Sequence, residues 1–308
     1  MRGGTEGVLN SNRGFPMYLL SWNVDQLGSA KRIEAVANAI GSTGPDIVTL
    51  QEVRSGHASK VAEPLQRYGL EHVWHSHEPL PCSDRKVQKE YHCMIASRWP
   101  LTDPPGGDTW RCAAPFPETL GRVAVSAPAA DIDLFTAHIP HGSGHGWKKI
   151  DTFETLALAL RGGTDSPRIL TGDFNEPKAF LSSGQLLTFA GERVDSDGSM
   201  STLRGTWRGR PLEDWSRGVR SVLADTSRHG LRDAYRDRHG FAVATPVTHR
   251  VTRGEGPRCF DHTFVSRHFE VVDCGYHHEW RRERWSDHSA MWTKLRLRTE
   301  VPPLENWE

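Results

Sequence analysis

Apolar runs that carry a chemically capable polar residue at one end recur along the whole chain, and this recurrence constrains the fold more than any other feature. Six stand out: Leu19–Asp25, Asp46–Glu52, Leu134–His138, Ile169–Asn175, Cys259–Val265 and Trp285–His288. Runs of this length, rich in Val, Ile, Leu and Phe and bounded by turn residues, read as buried strands. Their polar residues are Asn, Asp, Glu and His, the oxygen ligands of a hard cation and the usual proton carriers. One such run means little. Six converging strand ends make an active site.

The segments between the runs fit that reading. Ile33, Val36, Ala37 and Ile40 recur at helical spacing over Ala30–Ile40, with Ser29 as N-cap and Gly41 and Gly44-Pro45 as the stop. A strand at Asp46–Gln51 follows, then a helix over Ala58–Tyr68 interrupted by Pro64. Strands are expected near Glu71–His75, Tyr91–Ser97, Arg122–Ala127 and Ile132–His138, and a helix over Lys148–Leu160. From Leu181 to Arg258 the pattern weakens, leaving only short helix candidates at Arg217–Leu223 and Leu231–Tyr235. Strands interspersed with helices predict an α/β architecture of sheets covered by helices on their outer faces. No repeat or linker divides it, so residues 16–300 are expected to form one domain. Residues 1–15 would be a flexible arm and 301–308 a tail.

With 308 residues, 25% charged and 37% apolar, the chain has the composition of a soluble protein with a sizeable core. Its 38 basic residues balance 38 acidic ones, so no global field draws it to a polyanion and any such binding must be local. No apolar run is long enough to span a membrane, and the N-terminal residues lack the apolar stretch of a secretory signal. Five cysteines, odd in number and without a C-x-x-C pair, suggest reduced thiols and a cytoplasmic location. No obligate protein partner is evident.

The carboxylates and amide of Asn23, Asp25, Glu52 and Asp287, with no Cys among them, suit Mg²⁺ or Mn²⁺ rather than structural zinc. In Thr171-Gly172-Asp173-Phe174-Asn175, the i, i+2 spacing points two side chains the same way from an extended strand, and Gly172 permits a close approach. Asp173 and Asn175 can then hold and deprotonate a water while steadying a phosphoryl oxygen. His288 needs its second ring nitrogen held by a carboxylate if it is to donate a proton, and Asp261 is the candidate, leaving Asp287 for the metal. Five further histidines (His72, His75, His77, His277, His278) have no zinc-site spacing.

In this order, Trp-Asn-Val-Asp, Leu-Gln-Glu, Thr-Ala-His-Ile-Pro, Gly-Asp-Phe-Asn, Phe-Asp-His-Thr-Phe and Ser-Asp-His resemble the endonuclease/exonuclease/phosphatase (DNase I-like) superfamily from about residue 17 to 297. The resemblance implies a four-layer α/β/β/α sandwich of two mixed sheets flanked by helices, with the site at one edge. It implies that Asn23 and Glu52 are the metal-side amide and glutamate and that His138 contacts phosphate. Asp173 and Asn175 would align the attacking water, Asp261 would orient His288, and Asp287 would complete the motif. Asp25 matches an additional metal ligand of some repair endonucleases, and His141 a position near phosphate. The glycine-rich stretch after His141 would move over the substrate edge of the site.

Substrate choice stays open at this level. Arg54 stands where exonuclease III-like members have Thr-Lys, His138 replaces their tyrosine, and the inositol-phosphatase signatures are absent. His262 and Ala290 replace a usual tyrosine and proline. Basic and aromatic residues interleave over Leu203–Arg210 and at Trp215, Arg217 and Arg220, as in non-specific nucleic-acid grooves. The readings are a DNase-like endonuclease on DNA or RNA, a hydrolase of a small phosphate ester, nucleotide or phospholipid headgroup, and a catalytically silent binding module.

Overall fold

The computed structural model describes residues 14–77, 82, 89–161, 165–250 and 258–303. Most of the expected arm (1–13) and tail (304–308) lies outside them. Phe15, assigned to the arm, is bound: its carbonyl accepts from Leu297 N at 2.8 Å and its ring packs on Trp99.

Chain order is β1 (Pro16–Leu27), α1 (Ala30–Thr43), β2 (Ile47–Arg54), α2 (Ala58–Gln66), β3 (His72–His75), β4 (Tyr91–Ser97), β5 (Leu101–Thr102), β6 (Leu120–Ala127) and β7 (Ala130–His138). Then come α3 (Lys148–Leu160), β8 (Arg168–Asp173), α4 (Leu212–Leu223), β9 (Leu231–Asp233), α5 (Ala234–His239), β10 (Asp261–Ser266), β11 (Phe269–His277), α6 (His278–Arg282) and β12 (Ala290–Leu297). Two six-stranded mixed sheets result, ordered β11-β12-β1-β2-β4-β3 and β9-β10-β8-β7-β6-β5. Three short hairpins fill the stretch from Ala179 to Pro211.

Alternation along the strands accounts for the layers. In β1, Leu20, Trp22 and Val24 pack against Ile33, Val36 and Ile40 of α1 and Val61 and Leu65 of α2. Met17 and Leu19 point the other way and meet Leu134, Ile169 and Val265 of the second sheet. That sheet turns Phe135, Leu170 and Phe264 outward onto Ile150 and Phe153 of α3 and Val219 of α4. The expected α/β/β/α sandwich is therefore present, because every buried strand has two apolar faces.

Ser29 caps α1 as expected, its Oγ accepting from Arg32 N, and Gly44 ends the helix at φ 67°. The helix expected at Leu231–Tyr235 is corrected. Leu231–Asp233 pairs with β10, and the helix begins at Ala234, where Asp233 accepts from Arg236 N. Local propensity there yields to an open sheet edge. The reading of five reduced cysteines is also corrected. Cys82 and Cys112, separated by 30 positions, form a disulfide, while Cys93, Cys259 and Cys274 are buried and free. Spacing alone could not reveal a bond between residues that the fold brings together.

Candidate active site

Toward one end of the sandwich the inter-sheet face changes from apolar to polar. Following the parity of Leu19, Ile47, Leu134, Ile169 and Val265, the next inward positions are Ser21, Thr49, Thr136, Thr171 and Thr263, all buried. Gln51 Nε2 ties this layer together with bonds to Ser21 (3.3 Å), Thr49 (3.4 Å) and Thr136 (3.2 Å). One further step along the same parity lie Asn23, His138, Asp173 and Asp261. Register sets them side by side, since His138 pairs with Asp173 across the parallel β7–β8 ladder and Asp261 with Asp173 across β10–β8.

Glu52 breaks parity, since in regular β2 it would share a face with Val48 and Leu50 and point at α1. The register of β2 against β4 shifts between Leu50 and Val53, and Glu52 adopts φ 62°. The irregularity turns its carboxylate to the inter-sheet side, where Oε1 accepts from Asn23 Nδ2 at 3.1 Å. Gly172 has φ 146°, and a Cβ there would lie 1.9 Å from the Ala137 carbonyl oxygen, so only glycine lets β8 run this close to β7.

Most of the cluster is hydrogen-bonded, His138 being the exception. Asn23 Nδ2 also donates to Asp173 Oδ2 at 2.9 Å, and Asp173 Oδ1 accepts from Asn175 N at 2.9 Å. Asn23 Oδ1 accepts from Asp25 N at 3.0 Å, so this side chain bridges two carboxylates through Nδ2 and the Asp25 backbone through its carbonyl. Asn175, at φ 52°, donates its amide to Ile139 O at 2.9 Å. His288 Nδ1 lies 2.9 Å from Asp261 Oδ2, and its Nε2 is 3.6 Å from Asp173 Oδ2. Ser286 fixes the turn that presents His288: its Oγ donates to Asn23 O at 2.6 Å and accepts from His288 N at 3.0 Å.

Burial and charge pull the titrating groups apart. Burial lifts Glu52 to about 7, opposed by the Asn23 hydrogen bond and reinforced by the charge of Asp173. Burial depresses His138 to about 4, which leaves it neutral at physiological pH. His138 Nε2 sits 3.5 Å from Glu52 Oε1 and 3.7 Å from Asp173 Oδ2. Burial would depress His288 too, but the carboxylates of Asp261 and Asp173 outweigh it and hold the ring up, at about 10. Asp287 opposes its own burial through His249 and His288 and falls to about 2.

The expected metal-side residues divide into two places. Glu52 and Asn23 belong to the buried cluster, whereas Asp25 and Asp287 line a neighbouring cavity of about 450 Å³ with Arg250, Arg281, Arg282 and Arg284. Among the described residues, the acidic and imidazole groups close enough to share one cation are Asp173–Asp261–His288 and His249–Asp287–His288. Asp25, Glu52 and Asp287 do not make such a group. Nor do the five histidines first considered for zinc. Two residues escaped the sequence reading. His249 bridges to His288, with ring centroids 4.7 Å apart and Nε2 3.6 Å from Asp287, and lies in the stretch of weakest pattern. Lys149, buried on α3, pairs with Glu176 at 3.0 Å and donates to Asn175 O at 2.7 Å, fixing the loop that carries Asn175. A lysine inside a helical pattern gives no signal of such a role.

His141 is exposed, and its Nδ1 accepts from Gly144 N at 3.1 Å, capping a helical turn at Gly142–His145. The glycine-rich stretch, expected to move over the substrate edge of the site, takes the form of a short helix. Of the two readings of residues 203–220, a basic groove or a loop whose tryptophans cap the core, the ion pairs favour the loop. Arg210 pairs with Asp151 and Glu154, Arg217 with Asp214, and Arg220 with Glu192. The tryptophans there, Trp207 and Trp215, pack against Trp147 and against each other. His262, in the place of a usual tyrosine, is buried with Nδ1 2.8 Å from Asp233 Oδ2.

The profile of the Endonuclease/Exonuclease/phosphatase family matches residues 20–288. No curated protein matches the chain. Among solved structures, an AP endonuclease from Archaeoglobus fulgidus is similar at 19% identity and TM-score 0.59, over 90% of this chain and 98% of that one. A humanized D. rerio TDP2 is similar at 14% identity and TM-score 0.59, over 91% and 98%. A protein of the same family from Beutenbergia cavernae shares 17% identity at TM-score 0.54, over 92% and 72%.

Proposed function

The chain belongs to the endonuclease/exonuclease/phosphatase family, and from that premise we propose that it is a divalent-metal-dependent phosphodiester hydrolase acting on nucleic acid. The observation that carries the chemistry is the buried row Asp261–His288–Asp173, in which an imidazole held protonated by its carboxylate neighbours stands 3.6 Å from Asp173 Oδ2.

Mg²⁺ or Mn²⁺ suits the residues present. Glu52, Asp173 and Asp261 are three carboxylates in the interior, and no Lys or Arg among the described residues is ion-paired with them. Glu52, on the Asn23 side of the buried cluster, would hold the ion, while Asp25 and Asp287 stand apart in the neighbouring cavity. When bound it supplies Lewis-acid polarisation of the phosphoryl oxygen and neutralises charge, a contribution of several kcal/mol. Asp173, oriented by Asn23 and the Asn175 N–H, takes the proton of the attacking water. Such general-base assistance gives roughly 10²–10⁴-fold in rate. His288 donates to a non-bridging oxygen where negative charge develops, and Asp261 keeps it protonated. Neutral His138 and the Asn175 amide complete the cradle, with His141 at its rim.

A polyanionic substrate is favoured by the four arginines beside Asp25 and Asp287, a local basic surface on a neutral protein. The AP endonuclease among the structural relatives agrees with that choice. Residues 16–300 serve as the single working domain. No described helix is long and apolar enough to cross a membrane. The cytoplasmic assignment rested on unpaired thiols, and the Cys82–Cys112 bond favours an oxidising compartment instead.

The test is a metal-dependence assay on plasmid DNA, single-stranded DNA, RNA and bis-p-nitrophenyl phosphate, with Asp173→Asn as control. Cleavage of nucleic acid that Asp173→Asn abolishes is expected. Hydrolysis of the small ester alone would refute the nuclease reading, and hydrolysis of nothing would leave a binding module.

A further inference from the structure

A second cavity, of about 520 Å³, shares no lining residue with the arginine cavity, and Asn175 and His141 form part of its wall. Its size lies within the ~300–1,000 Å³ of pockets that enclose small organic ligands. The remaining wall is dominated by flat rings: Phe189, Trp207, Trp215 and Phe260. Phe260 directly precedes the catalytic Asp261, so the rings begin where the reacting cluster ends. The Arg258 guanidinium lies over Phe189 at 5.1 Å and Phe260 at 5.8 Å. Lys149, held by Glu176 and Asn175 O, presents its ammonium 5.4 Å from the Phe189 ring.

Phe189 is 36% exposed although it lines this cavity, and it stands edge-on to Phe260 with ring centroids 6.2 Å apart. An aromatic side chain left wet beside an aromatic-walled pocket is what a stacking partner looks like before its ligand arrives. Aliphatic walls suited to an acyl chain are scarce, with Leu212 and Ala190 the only aliphatic residues of the lining. Thr206, Ser143 and His141 add hydrogen-bonding groups suited to a heteroaromatic ring.

We propose that this cavity is a base subsite, holding the nucleobase of a nucleotide next to the scissile phosphate. The inference rests on the nuclease reading above and narrows it. A base enters such a pocket only when it is unpaired and unstacked, so the substrate is a single strand or a strand end, and a base inside a duplex must first be flipped out. The arginine cavity, which shares no lining residue with this one, then takes the backbone phosphates of the continuing strand.

The test compares kcat/KM for three substrates: a single-stranded oligonucleotide, the same strand annealed to its complement, and a strand of equal length built from baseless tetrahydrofuran units. The single strand should be preferred over the other two by about 5- to 160-fold, the range of losses when one base–aromatic stack is removed. Phe189→Ala should erase the preference over the baseless strand through KM, and Phe189→Trp should keep it. Equal or better cleavage of the baseless strand, or a preference untouched by Phe189→Ala, overturns the base subsite and leaves the nuclease reading standing. Cleavage of bis-p-nitrophenyl phosphate with no cleavage of any strand overturns both.

Discussion

Asp261→Asn isolates the electrostatic support of His288. In the folded chain, burial works against the imidazolium, and the carboxylates of Asp261 and Asp173 overcome it, holding the ring at about 10. An opposite charge at this range moves a pKa by roughly 1–3 units. Removing the Asp261 charge, 2.9 Å from Nδ1, should therefore bring His288 down to roughly 7–9. At about 1.4 kcal/mol per unit, the imidazolium loses roughly 1.4–4 kcal/mol of stabilisation. The assay is the pH dependence of kcat/KM on bis-p-nitrophenyl phosphate at saturating Mg²⁺ or Mn²⁺, beside an NMR titration of the ring. Wild-type activity should hold until the pH nears 10, whereas the variant should already fade between roughly 7 and 9. Stability gives a second readout of the same sign. A ring raised from 6.5 to about 10 stabilises the fold fully below pH 6.5 and loses that contribution as the pH rises through 10. The gap in stability between wild type and variant should close over that window. An unmoved alkaline limb, with a ring still titrating near 10 in the variant, would refute the role given to Asp261.

Two other outcomes follow from the same geometry. Burial lifts Glu52 from 4.5 to about 7, so metal-free stability should fall as the pH rises through that interval, by roughly 3 kcal/mol in all. Mg²⁺ or Mn²⁺ should then raise the melting temperature more at pH 8 than at pH 5, and Glu52→Gln should raise the metal-free value at pH 8 and lose the response to metal. A variant as metal-responsive as wild type would exclude Glu52 as a ligand. Gly172→Ala forces a Cβ against the Ala137 carbonyl at a left-handed φ, so denaturant unfolding should show a loss of about 2–6 kcal/mol. A loss below about 1 kcal/mol would mean that β7 and β8 are not packed as closely as described.

Periodicity made much of this molecule legible. The alternation of Leu19, Leu20, Ser21, Trp22 and Asn23 separates two apolar faces and leaves Asn23 on the inner one, and the helix over Lys148–Leu160 has the boundaries its pattern predicts. Asp173, Asn175, Asp261 and His288 were identifiable because short motifs at strand ends hold their chemistry locally.

What the tertiary structure decided is whatever depends on departures from regularity or on partners far apart in the chain. Glu52 faces the site only through a register shift, which no two-residue period anticipates. His249 and Lys149 acquire roles by landing beside His288 and Asn175, and Cys82 meets Cys112 across 30 positions. Arg210 and Arg220 read as part of a basic groove until carboxylates on other segments neutralise them, while Arg250, Arg281, Arg282 and Arg284 converge into the basic cavity. A strand's faces are set by its own backbone geometry, so the sequence by itself determined which residues the sandwich buries and which chemistry it gathers at one end. Charge pairing and cavity walls are set by distances between segments that only the folded chain creates, and these decided which cations and rings are available to a substrate.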